Sequence, residues 1–183
     1  MKNSGLLTFA VFAILSAAYF YFGLDHEVSS HKPGTVAENP QWQQVVEYAR
    51  EHLPLEGRLA MTPQGFGYLK VDEGYIHELF PMLGIKEKGF KEPPFYRRSN
   101  SPGAHISVFY VNEHVSPRET GQTFHFDLKQ ITVVKTKNAN FVVLQVQSPE
   151  LERLREKYGL SPKLFGHDFH ISIGEKQYSR NRH

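Results

Sequence analysis

The sequence predicts an α+β domain built from a strand–helix–strand unit used twice and preceded by an apolar N-terminal helix. Three observations lead to it. A shift of 75 residues superimposes two stretches of the chain, each stretch is followed by a His-x-Ser strand, and residues Leu6 to Leu24 form an apolar run broken only by Thr8, Ser16 and Gly23. At about 1.5 Å per residue that run would cover about 28 Å, the thickness of a bilayer core. Lys2 lies before it and Asp25, His26 and Glu27 after it, which puts the N-terminus inside and the remainder outside. A cleaved signal peptide is the other reading, with Leu6–Leu15 as its apolar region and Ser16-Ala17-Ala18 as its small-residue site. Tyr19-Phe20-Tyr21-Phe22 continues the apolar run and favours an uncleaved anchor. Either way the domain is expected on the outer side of a membrane, tethered through residues 1–24 or secreted. Residues 25–40, with Ser29-Ser30, Pro33-Gly34 and Pro40, read as a linker. The folded domain is expected over 41–176, with 177–183 as a disordered basic tail.

The chain has 183 residues, a length for one domain and an appendage, and its 21 basic against 19 acidic residues leave a net charge of +2. So balanced a charge excludes a histone-like nucleic-acid coat. Cysteine is absent, which excludes disulfides, thiolate metal sites and a cysteine nucleophile.

From Gln41 the pattern is globular. Trp42, Val45, Val46, Ala49 and Leu53 recur at helical spacing, and Pro54 stops the helix. Phe66–Val71 reads as a strand. Asp72-Glu73 opens a helix carrying Ile76, Leu79, Phe80 and Leu83, and Gly84 ends it in a left-handed cap. Pro81 is a defect inside that helix, which predicts a kink or a short element. The second copy has the strand Phe141–Val146, a helix start at Ser148-Pro149-Glu150, apolar positions Leu151 and Leu154, and a cap at Gly159. Phe66 falls on Phe141, Leu69 on Leu144, Val71 on Val146, Ile76 on Leu151, Leu79 on Leu154, Gly84 on Gly159 and Ile85 on Leu160, without a gap. Seven matches in one register indicate duplication. Between the copies, Thr123–Leu128 and Gln130–Thr136 read as further strands.

His105-Ile106-Ser107-Val108 follows the first unit and His170-Ile171-Ser172-Ile173 the second. Side chains alternate along a strand, so each histidine shares a face with its serine while Ile106, Val108, Ile171 and Ile173 take the other. With the apolar face buried under the helices, a pseudo-twofold relation would bring two imidazoles and two hydroxyls together in a cleft. That set suits phosphoryl-ester chemistry. A neutral imidazole accepts a proton from water or a hydroxyl, a protonated one gives a proton to the leaving oxygen, and the hydroxyls hold non-bridging oxygens. No metal or cofactor is required.

Paired His-x-Ser strands in a duplicated α/β unit resemble the 2H phosphoesterase superfamily, which includes RNA ligase-like proteins and cyclic phosphodiesterases. The resemblance covers roughly residues 57–175 and implies a bilobal fold with antiparallel sheets lining a central cleft. It also implies metal-independent hydrolysis or transfer at a cyclic phosphodiester, such as a 2′,3′-cyclic nucleotide or RNA end. His105 and His170 would then be catalytic, and Ser107 and Ser172 phosphate-binding. Both motifs keep the hydroxyl as Ser where Thr is commoner in that superfamily. A nucleotide or RNA end is the expected substrate, and the catalytic domain is expected to be monomeric.

Other readings differ in class. A non-catalytic nucleotide or RNA-end binder would keep the same motif. His167 could join His170 at a metal. His125, between Phe124 and Phe126, lines the cleft wall or is solvated, and His77 is a helix-surface residue. The loop from Lys86 to Asn100 has five basic residues, two acids and the aromatics Phe90, Phe95 and Tyr96. Arg97 and Arg98 there could grip a phosphate while a base stacks on a ring. The other reading of that loop is a plain solvated connector.

Overall fold

The computed structural model describes residues 39–93 and 101–178. The apolar N-terminal run and the two arginines Arg97 and Arg98 lie outside them. Among the described residues no helix is long and apolar enough to cross a membrane.

The first helix, α1 (Pro40–His52), starts where Asn39 accepts a hydrogen bond from the Gln41 N–H at 3.1 Å, with Pro40 in its first turn. It buries Val45, Val46 and Ala49, the apolar stripe its spacing predicts. Strands β1 (Glu56–Met61) and β2 (Gly67–Lys70) form an antiparallel pair. Two four-residue helices follow, α2 (Gly74–His77) and α3 (Leu79–Met82). The sequence predicts one helix here. Pro81 supplies no N–H for the His77 carbonyl four residues back, and its ring crowds that carbonyl, so the helix breaks at Glu78. Gly84, at φ 60°, turns the chain in the left-handed region, as expected for a cap.

Next come β3 (His105–Phe109), β4 (Thr123–His125), β5 (Asp127–Lys135) and β6 (Ala139–Gln147). Helix α4 (Pro149–Lys157) is capped by Ser148, whose hydroxyl oxygen accepts from the Leu151 N–H at 3.2 Å. Strand β7 (His170–Gln177) ends the described fold. All seven strands lie in one sheet, ordered β4-β1-β2-β3-β7-β6-β5, with every neighbouring pair antiparallel.

The duplication is visible in the pairing. Leu69 of β2 lies opposite Ile106 of β3, and Leu144 of β6 lies opposite Ile171 of β7. The halves meet where Ile106 pairs with Ile171, so a pseudo-twofold axis passes between those two residues. The resemblance implied two lobes with antiparallel sheets lining a cleft; the antiparallel halves are present, joined into one seven-stranded sheet through the Ile106–Ile171 pair of β3 and β7. Ile106, Val108, Ile171 and Ile173 are each 0% exposed and belong to one core cluster with Val45, Tyr75, Ile76, Leu79, Leu151 and Leu154. Strand β1 belongs to the same sheet although the sequence shows no strand there. Of its residues only Gly57 and Leu59 are buried, too sparse an alternation to stand out.

Candidate active site

The pairing of Ile106 with Ile171 fixes the site. Continued one residue each way, the antiparallel register sets His105 opposite Ser172 and Ser107 opposite His170. Directly opposed residues share a face, with Cβ atoms about 5 Å apart. Two imidazoles and two hydroxyls therefore occupy alternate corners of one quadrilateral. All four side chains are half-buried, while the intervening isoleucines point into the core.

Both strands break register just past their serine. Tyr68 pairs with Ser107 but Gly67 with Phe109, leaving Val108 as an extra residue. Val143 pairs with Ser172 but Val142 with Gly174, leaving Ile173 extra. These are β-bulges at equivalent places in the two copies, and bulges bend a strand and re-aim its side chains. Past its serine each strand turns back to the core: Val108, Phe109 and Ile173 are all fully buried.

Each imidazole is held in the same way. His105 Nδ1 lies 2.7 Å from the Gly103 carbonyl oxygen and His170 Nδ1 lies 3.2 Å from the Asp168 carbonyl oxygen. A carbonyl only accepts, so Nδ1 carries the hydrogen and the lone pair of the neutral ring is on Nε2. Burial pushes His105 down to about 4, with the nearby charges of Lys70 and His170 adding to it against the Gly103 carbonyl. Burial also lowers His170, helped by His167 and opposed by the Asp168 carbonyl. Both shifts favour the neutral form of the rings.

The flanking strands supply the next row. Tyr68 lies opposite Ser107 and Lys70 opposite His105. Val143 lies opposite Ser172 and Gln145 opposite His170, and the Gln145 side-chain oxygen accepts from Gln130 at 2.8 Å. Lys70 is ion-paired with Glu73, whose other oxygen accepts from the Ala104 N–H at 3.2 Å. The turn presenting the Gly103 carbonyl to His105 is thereby fastened to the end of β2. Gly103 has φ 65°, and a Cβ there would run into the Lys70 and Glu73 side chains. Sequence reasoning missed Lys70 and Glu73; the repeat itself held the signal, since Lys70 occupies the position of Gln145.

Aromatic rings line the His105 side. Phe66 and Tyr68 meet the His105 ring edge-on, with centroids 5.8 and 5.7 Å away. Tyr110 lies 6.4 Å from Phe66, and Phe165 stacks on Tyr110 at 5.2 Å. Phe165 sits at the tip of a tight turn in which the His167 N–H donates to the Leu164 carbonyl at 2.9 Å. It adopts φ 47° and Gly166 φ 79°, the positive-φ pair of a type I′ turn. Phe90, read from the sequence as a stacking ring in the basic loop, instead packs against the core cluster.

The remaining histidines stand apart from the pair. His125 is exposed on β4, with β1 and β2 between it and β3, and its ring lies 3.3 Å from Glu56 and 3.5 Å from Glu150. A cavity of about 220 Å³ lined by His125, Phe126, Asp127, Pro149, Glu150 and Arg153 lies beside it and contains neither His105 nor His170. His77 is exposed on α2 and His167 is exposed in the Leu164–His167 turn. Among the described residues no three His, Asp or Glu side chains converge as metal ligands.

Compared with known proteins, residues 67–180 match the family described as Swiss Army Knife, 2H phosphoesterase domain. No curated protein and no solved structure matches the chain. The family match takes in both His-x-Ser strands and both units of the repeat. It starts after α1 and β1; β1 lies between β4 and β2 in the sheet, and Arg50 of α1 donates to the Leu128 carbonyl of β5. With more than half of its length matched, the chain belongs to the 2H phosphoesterase superfamily, which implies a phosphodiesterase-type hydrolase or transferase.

Proposed function

We propose that the chain opens a cyclic phosphodiester, such as a 2′,3′-cyclic nucleotide or RNA end, with His105 and His170 as the acid–base pair. The observation that carries this reading is the shared face of β3 and β7, where both imidazoles have Nδ1 on a main-chain carbonyl. Nε2 of the neutral ring takes a proton from water as the water oxygen bonds to phosphorus. The bond from phosphorus to one ribose oxygen breaks, and Nε2 of the protonated ring gives its proton to that oxygen. The protons balance, and the pair is reset by exchange with solvent. Ser107 and Ser172 donate to the non-bridging oxygens, where negative charge grows. Both proton transfers are supplied by imidazole, so the mechanism asks for no metal.

The aromatic row from Tyr68 through Phe66 and Tyr110 to Phe165 supports a nucleoside as the group carrying the phosphate, because a base can lie on such rings. Turnover of 2′,3′-cyclic mononucleotides tests the proposal. His105→Ala and His170→Ala should each cost about 10²–10⁴ in rate, and the double variant should be little worse than either single one, since the two act as a unit. Full activity in either single variant refutes the pairing. Tight binding without turnover by the unaltered protein would favour a nucleotide-binding role.

A further inference from the structure

The scaffold of the two histidines is nearly symmetric, but their neighbours are not. Resting on the acid–base reading above, we propose that Lys70 is the residue that breaks the symmetry, assigning His105 the neutral, proton-accepting role and His170 the proton-donating role. Lys70 lies opposite His105 in the β2–β3 register, and its counterpart in the second half, Gln145, lies opposite His170 and carries no charge. A fixed ammonium beside one ring disfavours imidazolium there and leaves the other ring as the better proton carrier.

The surrounding charges agree. Among the described residues, Lys70 and Tyr68 from β2 and His170 from β7 face His105. Burial raises the Tyr68 phenol, so that ring stays neutral wherever imidazole titrates. Among the described residues Lys70 is ion-paired with Glu73, whose second oxygen is occupied by the Ala104 N–H, and the Asp72 carboxylate also acts on the ammonium. Glu73 fastens the ammonium beside the turn that holds His105. Around His170 the charged groups are His167 and Asp168, and the Asp168 carboxylate is engaged by Lys163 at 2.5 Å with Lys129 at 4.0 Å. Lys70 acts through His105 and is a positioning residue.

Lys70→Gln copies Gln145 into the first half and tests the assignment. The imidazole resonances of both histidines are followed by NMR through a pH titration, alongside the pH dependence of kcat/KM. The His105 midpoint should rise by about half a pH unit, the scale of one neighbouring charge in a partly solvated setting, and His170 should move less. The acidic limb of kcat/KM should rise with His105 while the basic limb stays. Lys70→Arg, which keeps the cation, should restore the unaltered values. An unmoved His105, equal movement of both rings, or a shift of the basic limb alone would overturn the assignment. Lack of turnover by the unaltered protein would instead overturn the proposed function; the two midpoints do not depend on turnover and would still decide what Lys70 does.

Discussion

Arg155 offers the sharpest test of how the fold holds the site. It is 1% exposed on α4, in a helix whose other buried residues are leucines. Its guanidinium donates to the Val108 carbonyl at 2.5 Å and the Ser161 carbonyl at 2.7 Å. It also grips the Glu113 carboxylate at 2.7 and 3.1 Å and lies 5.9 Å from the centre of the Phe109 ring. Val108 is the bulge residue next to Ser107, so this one side chain ties the helix of the second copy to the active-site strand of the first. Arg155→Met keeps much of the volume but removes the charge and all four hydrogen bonds. Glu113, whose side chain is 14% exposed, would be left as a carboxylate without its cation, and breaking a buried pair in this way costs about 3–5 kcal/mol. Urea unfolding followed by circular dichroism measures the loss, and in a heat scan it should appear as a drop in Tm of roughly ten degrees. Adding Glu113→Gln should recover part of it, because the amide still accepts from the Tyr110 N–H but no unpaired charge is buried. A loss under about 1 kcal/mol for Arg155→Met, on the scale of an exposed ion pair, would refute the argument, as would a double variant that loses the full sum of the singles.

Two further outcomes are expected. The pH profile of kcat/KM should be a bell displaced to the acid side of ordinary imidazole: activity falls as His105, the base, gains its proton near pH 4, and falls again as His170 loses its proton below its ordinary value of 6.5; a maximum above about pH 7 would contradict the burial of the pair. Topology reporters fused after Asp25 and in the C-terminal tail should both report the outer side of the membrane, as the apolar run Leu6–Leu24 predicts, and cytoplasmic activity of both would refute that placement.

The sequence made the placement of the two His-x-Ser strands legible because a repeat carries its own control. Leu69 against Leu144, or Gly84 against Gly159, would each mean little alone; sharing one offset, they locate two equivalent strands and predict that His105 and His170 lie alike. The pairing of Ile106 with Ile171 bears out the shared face. What stayed hidden depends on register between strands. The bulges at Val108 and Ile173 have no local signature, since both residues are β-branched and sit well in an ordinary strand. Lys70 looks like a solvated strand end until its partner across β3 is known. Arg155 reads as the basic last turn of an exposed helix, and only the packing of α4 against β3 buries it. The split of the predicted helix into α2 and α3 was announced by Pro81, but its position at Glu78 follows from the bond the proline cannot make.

On the proposed mechanism, a site with two neutral imidazoles lacks the proton it needs, and a bound phosphodiester would resolve this. A phosphodiester carries a negative charge, and placing it between His105 and His170 favours the imidazolium form of both rings. Lys70 opposes that gain at His105 with a permanent charge, whereas the like-signed neighbour of His170 is the imidazole of His167, so on the proposed reading the proton drawn in with the substrate settles on His170. On that reading binding charges His170, the proposed acid, and leaves His105, the proposed base, neutral. Kinetics express the same linkage: kcat, which reports the substrate-bound enzyme, should hold its basic limb to higher pH than kcat/KM, which reports the free enzyme. Coincident basic limbs would mean that the bound phosphate does not lie between the rings, and the quadrilateral of His105, Ser107, His170 and Ser172 would then need another ligand.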